Sequence, residues 1–386
     1  MSTELTPRRS ALIADLIYDV EIHSNSWYQR FERRGLTDLF DFQLQGLKKS
    51  KSGAFCLKRK SAFAFYASGK GAYKNHALLV FRGTTDFVCD SLTNLNAGVQ
   101  LCESGEPVHA GFNRTYSYMR DRIKLELSLH RPRHLHIVGH SLGGGLAQVA
   151  ADSILRSEYS PPTTVYTFGS PRVGFKSFAD KLSQNNKLTV YRAYLSGDPV
   201  AMVPLWPYVH APQPSGECFI QYAGGSIFSH LGSMHMMRYY TDAVSNHKTW
   251  KTLIRPHPTL NAQWKNVEES LLIGSPIAKL QQCAKLLQMF LTRSIGACNI
   301  LVSGTVVGGA HILDALSHAC ERSCRESEES KTFVHWIVKT IFNILGQTYK
   351  ATKEITRFII RDALTALYRT LMQTARSALL IGNQRP

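Results

Sequence analysis

The stretch from Leu135 to Phe168 constrains the fold more than any other part of the chain. Leu135–Val138 is a short apolar run, and Val165–Phe168 is a second. Between them, Leu142–Arg156 places Ala147, Ala150, Ala151, Ile154 and Leu155 at helical spacing. Runs this short suit buried strands, whereas the longer segment with an apolar face suits a helix, so the pattern predicts a strand, helix and strand in succession. Ala77–Phe81 and Leu188–Tyr194 read as further buried strands. The first 250 residues therefore predict an α/β fold with a mostly parallel central sheet.

The turn joining the first of these strands to its helix reads Gly139-His140-Ser141-Leu142-Gly143. A serine hydroxyl is a poor nucleophile unless a base reaches it and amide N–H groups face the oxyanion that develops. A sharp strand-to-helix turn supplies both, and flanking glycines remove side chains that would collide there. The helix beginning at Leu142 also directs its positive end toward Ser141. Ser141 is thus the candidate nucleophile, with Leu142 the first residue of that helix.

An orienting acid and a base are expected downstream. Asp198, in Ser196-Gly197-Asp198-Pro199-Val200, follows the strand Leu188–Tyr194, where a parallel sheet carries its functional loops. Asp180 and Asp242 fall on predicted helices and compete poorly. Four histidines follow in the same region, His210, His230, His235 and His247. Spacing favours His230 and His235 as residues near a loop or helix start and leaves the choice between them open. Pro199 to Gly225 carries five prolines, Pro199, Pro204, Pro207, Pro212 and Pro214, and is expected to surround a site rather than to form core.

Several blocks, taken together and in order, resemble the class 3, fungal-type lipases. They are Val80-Phe81-Arg82-Gly83-Thr84-Thr85-Asp86, Asp90-Ser91-Leu92-Thr93-Asn94-Leu95, Val108-His109-Ala110-Gly111-Phe112, Gly139 to Gly144, Thr167 to Gly174, and Gly197-Asp198-Pro199-Val200. The resemblance spans about residues 60 to 245 and implies an α/β-hydrolase fold, hydrolysis of lipid carboxylic esters, and no metal or organic cofactor. It also favours His235, because His235-Met236-Met237-Arg238-Tyr239-Tyr240 fits the family's segment better than Ser229-His230-Leu231-Gly232. By the same resemblance, the backbone N–H groups of Thr84 and Leu142 form the oxyanion hole. In the family the segment after Thr84 can act as a lid, and here Phe87, Val88, Leu92 and Leu95 give a short helix one apolar face that serves equally to cover the site or to pack into the core. Gly145 departs from the pattern by standing where the family usually has Ala.

Beyond Arg255-Pro256-His257-Pro258 the composition shifts to Leu, Ile, Ala, Gln and Lys, which divides the chain into 1–255, the α/β unit, and 256–386, a helical, basic C-terminal extension. Phe333 to Leu380 repeats apolar residues at helical intervals with Lys and Arg between them, a pattern that serves equally an interfacial helix pair or a hairpin packed on the α/β unit. Residues 294–313 lack Asp, Glu, Lys and Arg and approach the length of a membrane span, although glycine and polar residues dilute them. The net charge of +17 suits an anionic membrane surface, and no nucleic-acid module accompanies it.

Eight scattered cysteines argue against a disulfide scaffold, and His318, Cys320 and Cys324 lack the spacing of a metal site. Met1 to Ser10 leads into Asp15, Asp19 and Glu21 rather than an apolar run, so no cleavable secretory signal is expected. A cytoplasmic or peripherally membrane-bound location follows, with signal-less export still open. Two other function classes share these features: a membrane-active effector with phospholipase activity, and a lipid-binding member of the fold without turnover.

Overall fold

The computed structural model describes residues 4–20, 26–42, 63–83, 98–195, 197–212, 216–220, 233–254, 272, 276–294, 309–347 and 355–382. Its centre is a seven-stranded sheet. The strands are β1 (Phe40–Asp41), β2 (Phe63–Gly69), β3 (His76–Arg82), β6 (His134–His140), β7 (Thr163–Phe168), β8 (Leu188–Leu195) and β9 (Glu217–Ile220), in the spatial order β1-β2-β3-β6-β7-β8-β9. From β3 to β9 every pairing is parallel, and β1 and β2 add an antiparallel edge. A separate two-stranded ribbon pairs β4 (Val99–Leu101) with β5 (Pro107–His109).

The parallel strands read as unbroken apolar runs because both faces of the sheet are covered. Alternate residues feed two different cores. Ala77, Leu79, Phe81, Leu135, Ile137 and Val165 point to one side, with helices α3 (Ala110–His130), α4 (Leu142–Leu155) and α5 (Lys176–Gln184). Leu78, Val80, Val138, Tyr166 and Phe168 point to the other, with α1 (Pro7–Leu16), α2 (Ser26–Arg33) and α6 (Met237–Val244). The four strands and the helix read from the sequence all form, each within a residue or two of its expected limits.

The C-terminal helices are α7 (Pro276–Ser294), α8 (Gly309–Glu326), α9 (Glu328–Ile344) and α10 (Arg357–Gly382). Their apolar rows, among them Phe290, Leu316, Phe333, Ile337, Leu364 and Leu371, are buried and belong to the same core as α3 and α4. Burying each such side chain contributes about 1.5–3 kcal/mol, which favours this packed arrangement of the apolar face of α9 and α10. Among the described residues no helix is long and apolar enough to cross a membrane. Most of 294–313 lies outside the described residues, and its far end opens α8, where Ile312 and Leu313 are buried. The compositional break at 255–258 also lies outside them.

The proline-rich stretch after Pro199 differs from its expected role as a purely peripheral loop. Val200, Ala201, Val203, Tyr208, Val209 and Ala211 are buried, and Glu217–Ile220 adds strand β9. Prolines mask this in the sequence, since the pattern of apolar residues between them has no regular period.

Candidate active site

Ser141 sits between β6 and α4 with φ 58° and ψ −132°, a conformation that non-glycine residues seldom adopt. The close packing around it explains the glycines. A Cβ on Gly139 would lie 2.3 Å from the Gly143 carbonyl oxygen, and one on Gly143 would lie 2.2 Å from that of Phe81. The backbone is therefore folded more tightly than side chains permit, and Ser141 is held at the crest of the turn.

Three side chains distant in sequence meet there. His235 Nε2 lies 2.7 Å from Ser141 Oγ, and His235 Nδ1 lies 2.9 Å from Asp198 Oδ2 and 3.1 Å from Oδ1. An ionised carboxylate only accepts, so Nδ1 carries the imidazole proton and Nε2 accepts from the serine hydroxyl. All three residues are buried. Asp198 Oδ1 also accepts from the Val200 amide at 2.9 Å, and Oδ2 accepts from the Tyr240 hydroxyl at 2.5 Å. Burial beside Asp198 pushes the Tyr240 phenol well above its ordinary value, so it stays a donor.

Gly169, at φ +56°, makes room for this junction. A Cβ there would stand 2.6 Å from Asp198 Oδ2 and 3.1 Å from His235 Nδ1. Behind His235, the His140 ring stacks at 4.7 Å between centroids. His140 Nε2 lies 2.8 Å from the His235 carbonyl, to which it donates, and Nδ1 accepts from the Tyr18 hydroxyl at 2.8 Å. Tyr18 also closes over Gly83 at the end of β3, where a Cβ would meet its hydroxyl at 2.6 Å.

The other residues singled out from the sequence are placed as follows. Leu142 opens α4, among first-turn amides that have no intrahelical acceptor. Thr84, Phe87, Val88, Leu92, Leu95 and His230 lie outside the described residues. His210 is held by Arg172 and Arg192, each 3.3 Å from its Nε2. His247 is paired with Thr252. Asp180 is joined to Lys176, and Asp242 is exposed on α6. Cys320 is buried on α8, and no cluster of His, Cys, Asp and Glu suited to a metal occurs among the described residues. Tyr240, His140, Tyr18 and Gly169 were not recognised from spacing. Tyr240 closes the segment that favoured His235, and that was its only signal.

Residues 78–208, which hold Ser141 and Asp198, match the family model described as lipase (class 3). Over these residues the chain is similar to the class 3 lipases. Its sheet order and its strand-turn-helix at Ser141 are those of an α/β-hydrolase lipase fold. The chain is 32% identical over 151 residues to secreted mono- and diacylglycerol lipase 1 of Fusarium solani, a match covering 38% of this chain and 44% of that protein. It is 34% identical over 116 residues to toxin TseL of Vibrio cholerae, covering 29% and 18%. It is 34% identical over 154 residues to the chloroplastic phospholipase A(1) DAD1 of Arabidopsis thaliana, covering 34% of each. The chain thus spans less than half the length of these relatives. His235 and the four C-terminal helices lie beyond the family match.

Proposed function

We propose that the chain is a carboxylic ester hydrolase acting on lipids, with Ser141 as nucleophile, His235 as base and Asp198 as orienting acid. The observation that carries this reading is the unbroken run of contacts from Ser141 Oγ through both ring nitrogens of His235 to Asp198, at 2.7 and 2.9 Å. His235 Nε2 takes the serine proton as Oγ attacks the ester carbonyl, and Asp198 stabilises the imidazolium that results. The amides of Leu142 and Thr84 hold the oxyanion. The imidazolium then protonates the departing alcohol, leaving an acyl-serine. Water, deprotonated by the same imidazole, attacks that ester and releases the fatty acid.

The substrates are acylglycerols or phospholipids, a range supported by the lipase and phospholipase relatives. A net charge of +17 draws the chain to anionic lipid surfaces, where such esters reside. The relation to toxin TseL favours, as a second reading, an effector that damages membranes by this same hydrolysis. Both readings are tested with vesicles of phosphatidylcholine and phosphatidylglycerol containing diacylglycerol. Fatty acid release by the unaltered chain and none by Ser141→Ala supports the proposal, and equal release by both removes Ser141 from the reaction.

A further inference from the structure

Helix α10, which lies outside the class 3 match, has two faces of different character. Its inner face, with Ala363, Leu364, Leu367, Leu371, Ala375 and Ala378, is buried in the core shared with α3 and α4. Its outer face carries Phe358, Asp362, Arg369, Gln373, Arg376 and Leu380, all exposed. Steps of three, four and seven residues keep these six on one stripe.

Two large apolar side chains close the stripe at its ends, Phe358 being 63% exposed and Leu380 51%. At 1.5 Å per residue they stand about 33 Å apart. Between them Arg369 and Arg376 face solvent beside a single acid, Asp362. On the flanks Arg361 is paired with Asp314 of α8 at 3.0 Å, and Arg357 lies over the Phe358 ring at 5.2 Å from its centroid. Residues 331–386 hold nine basic and two acidic side chains, so the surroundings of the stripe are positive as well.

Building on the attraction to anionic lipid in the function proposed above, we propose that the outer face of α10 is the surface by which the chain docks on an anionic phospholipid bilayer. Arg369 and Arg376 meet lipid phosphates, and Phe358 and Leu380 enter the headgroup layer as anchors at either end. A bilayer offers both an anionic surface and an apolar interior, whereas a nucleic acid offers phosphates and nothing apolar to two anchors so far apart. The inner face of α10 is already buried against the rest of the protein, so the helix docks as a fixed edge of the fold. It also packs against the turn Ser233–His235, which brings the docking surface within one helix of the turn that bears the base.

Binding is measured apart from hydrolysis in the full chain carrying Ser141→Ala, by co-sedimentation with vesicles of phosphatidylcholine and phosphatidylglycerol and with vesicles of phosphatidylcholine alone. Each basic side chain near an anionic surface strengthens binding about fivefold, so Arg369→Gln with Arg376→Gln is expected to weaken binding to the anionic vesicles about 25-fold. Phe358→Ser with Leu380→Ser is expected to weaken it about tenfold. All four positions are exposed, and equal melting temperatures check that the fold is kept. Arg33→Gln with Arg34→Gln removes the same net charge at exposed positions at the end of α2, on the opposite side of the sheet, and is expected to change binding less than about twofold. The inference is overturned by binding that either α10 pair leaves unchanged, by an equal loss in the α2 pair, or by a Ser141→Ala chain that prefers neutral vesicles. A dimer in sedimentation velocity that Phe358→Ser with Leu380→Ser splits gives the face to a second copy instead. The hydrolase reading is decided separately, by cleavage of the soluble ester 4-nitrophenyl butanoate by the unaltered chain without vesicles.

Discussion

Tyr240 donates its phenolic proton to Oδ2 of Asp198 across 2.5 Å, on the same oxygen that His235 Nδ1 approaches at 2.9 Å. A second donor on one carboxylate oxygen fixes the carboxylate plane, and with it the ring of His235. A hydrogen bond to a charged group contributes about 1.5–3 kcal/mol, so its loss is felt even where the fold is untouched. Tyr240→Phe is expected to lower kcat about tenfold with KM nearly unchanged, checked by steady-state kinetics on a soluble ester. An unaltered kcat contradicts a positioning role.

The backbone at Ser141 carries strain, which the proposed nucleophilic role would account for. A non-glycine residue at φ 58° and ψ −132° costs about 1–3 kcal/mol, while glycine avoids most of this cost. Ser141→Gly is therefore expected to melt at a higher temperature than Ser141→Ala, with both variants inactive. Equal melting temperatures by calorimetry contradict the presence of strain at this turn.

Gly145 presents a conflict between helix propensity and packing. Alanine in a helix is favoured over glycine by about 1 kcal/mol, yet a Cβ here would lie 2.5 Å from Cε1 of Phe112. The ring is buried and cannot swing aside, so overpacking of about 1–3 kcal/mol outweighs the gain. Gly145→Ala is expected to destabilise the chain in urea, and Phe112→Leu added to it to recover part of the loss.

At the other end of the strands, His76 stacks on His136, with 3.0 Å between His76 Nδ1 and His136 Nε2, and the His134 ring lies tilted against both. Burial, and then the charge of the neighbouring imidazoles, pushes His136 well below its ordinary value and His134 down to about 4. The unfolded chain takes up these protons more readily than the folded one. Stability is therefore full above about pH 6.5 and is lost as the pH falls toward 4. His134→Gln is expected to flatten the decline in urea midpoint between pH 7 and pH 5. An identical decline in the variant assigns it to other groups.

The fold was largely legible because its strands lie in the middle of a sheet covered on both faces. Ala77–Phe81, Leu135–Val138, Val165–Phe168 and Leu188–Tyr194 are short, mostly apolar runs that are buried along almost their whole length. Edge strand β9 did not stand out, since Glu217 is spent on a contact with Tyr194 and prolines precede it. Within the site, Ser141 and Asp198 are marked by local geometry, a turn and a strand end. His235 is placed by tertiary packing, with no local pattern separating it from His230, and only the family likeness favoured it. Tyr240, His140 and Tyr18 act through contacts spanning 42 to 122 residues, which no spacing rule reports. The basic helices show the reverse difficulty, because an amphipathic period looks the same whether its apolar face meets lipid or, as in α9 and α10, other helices.

The central claim is that Ser141 is made nucleophilic by His235. It is tested most directly by labelling with a serine-directed fluorophosphonate and locating the adduct by mass spectrometry. A single adduct on Ser141, formed by the unaltered chain and suppressed in His235→Ala, is the predicted result. An unlabelled Ser141, or one labelled at the same rate without His235, contradicts the account.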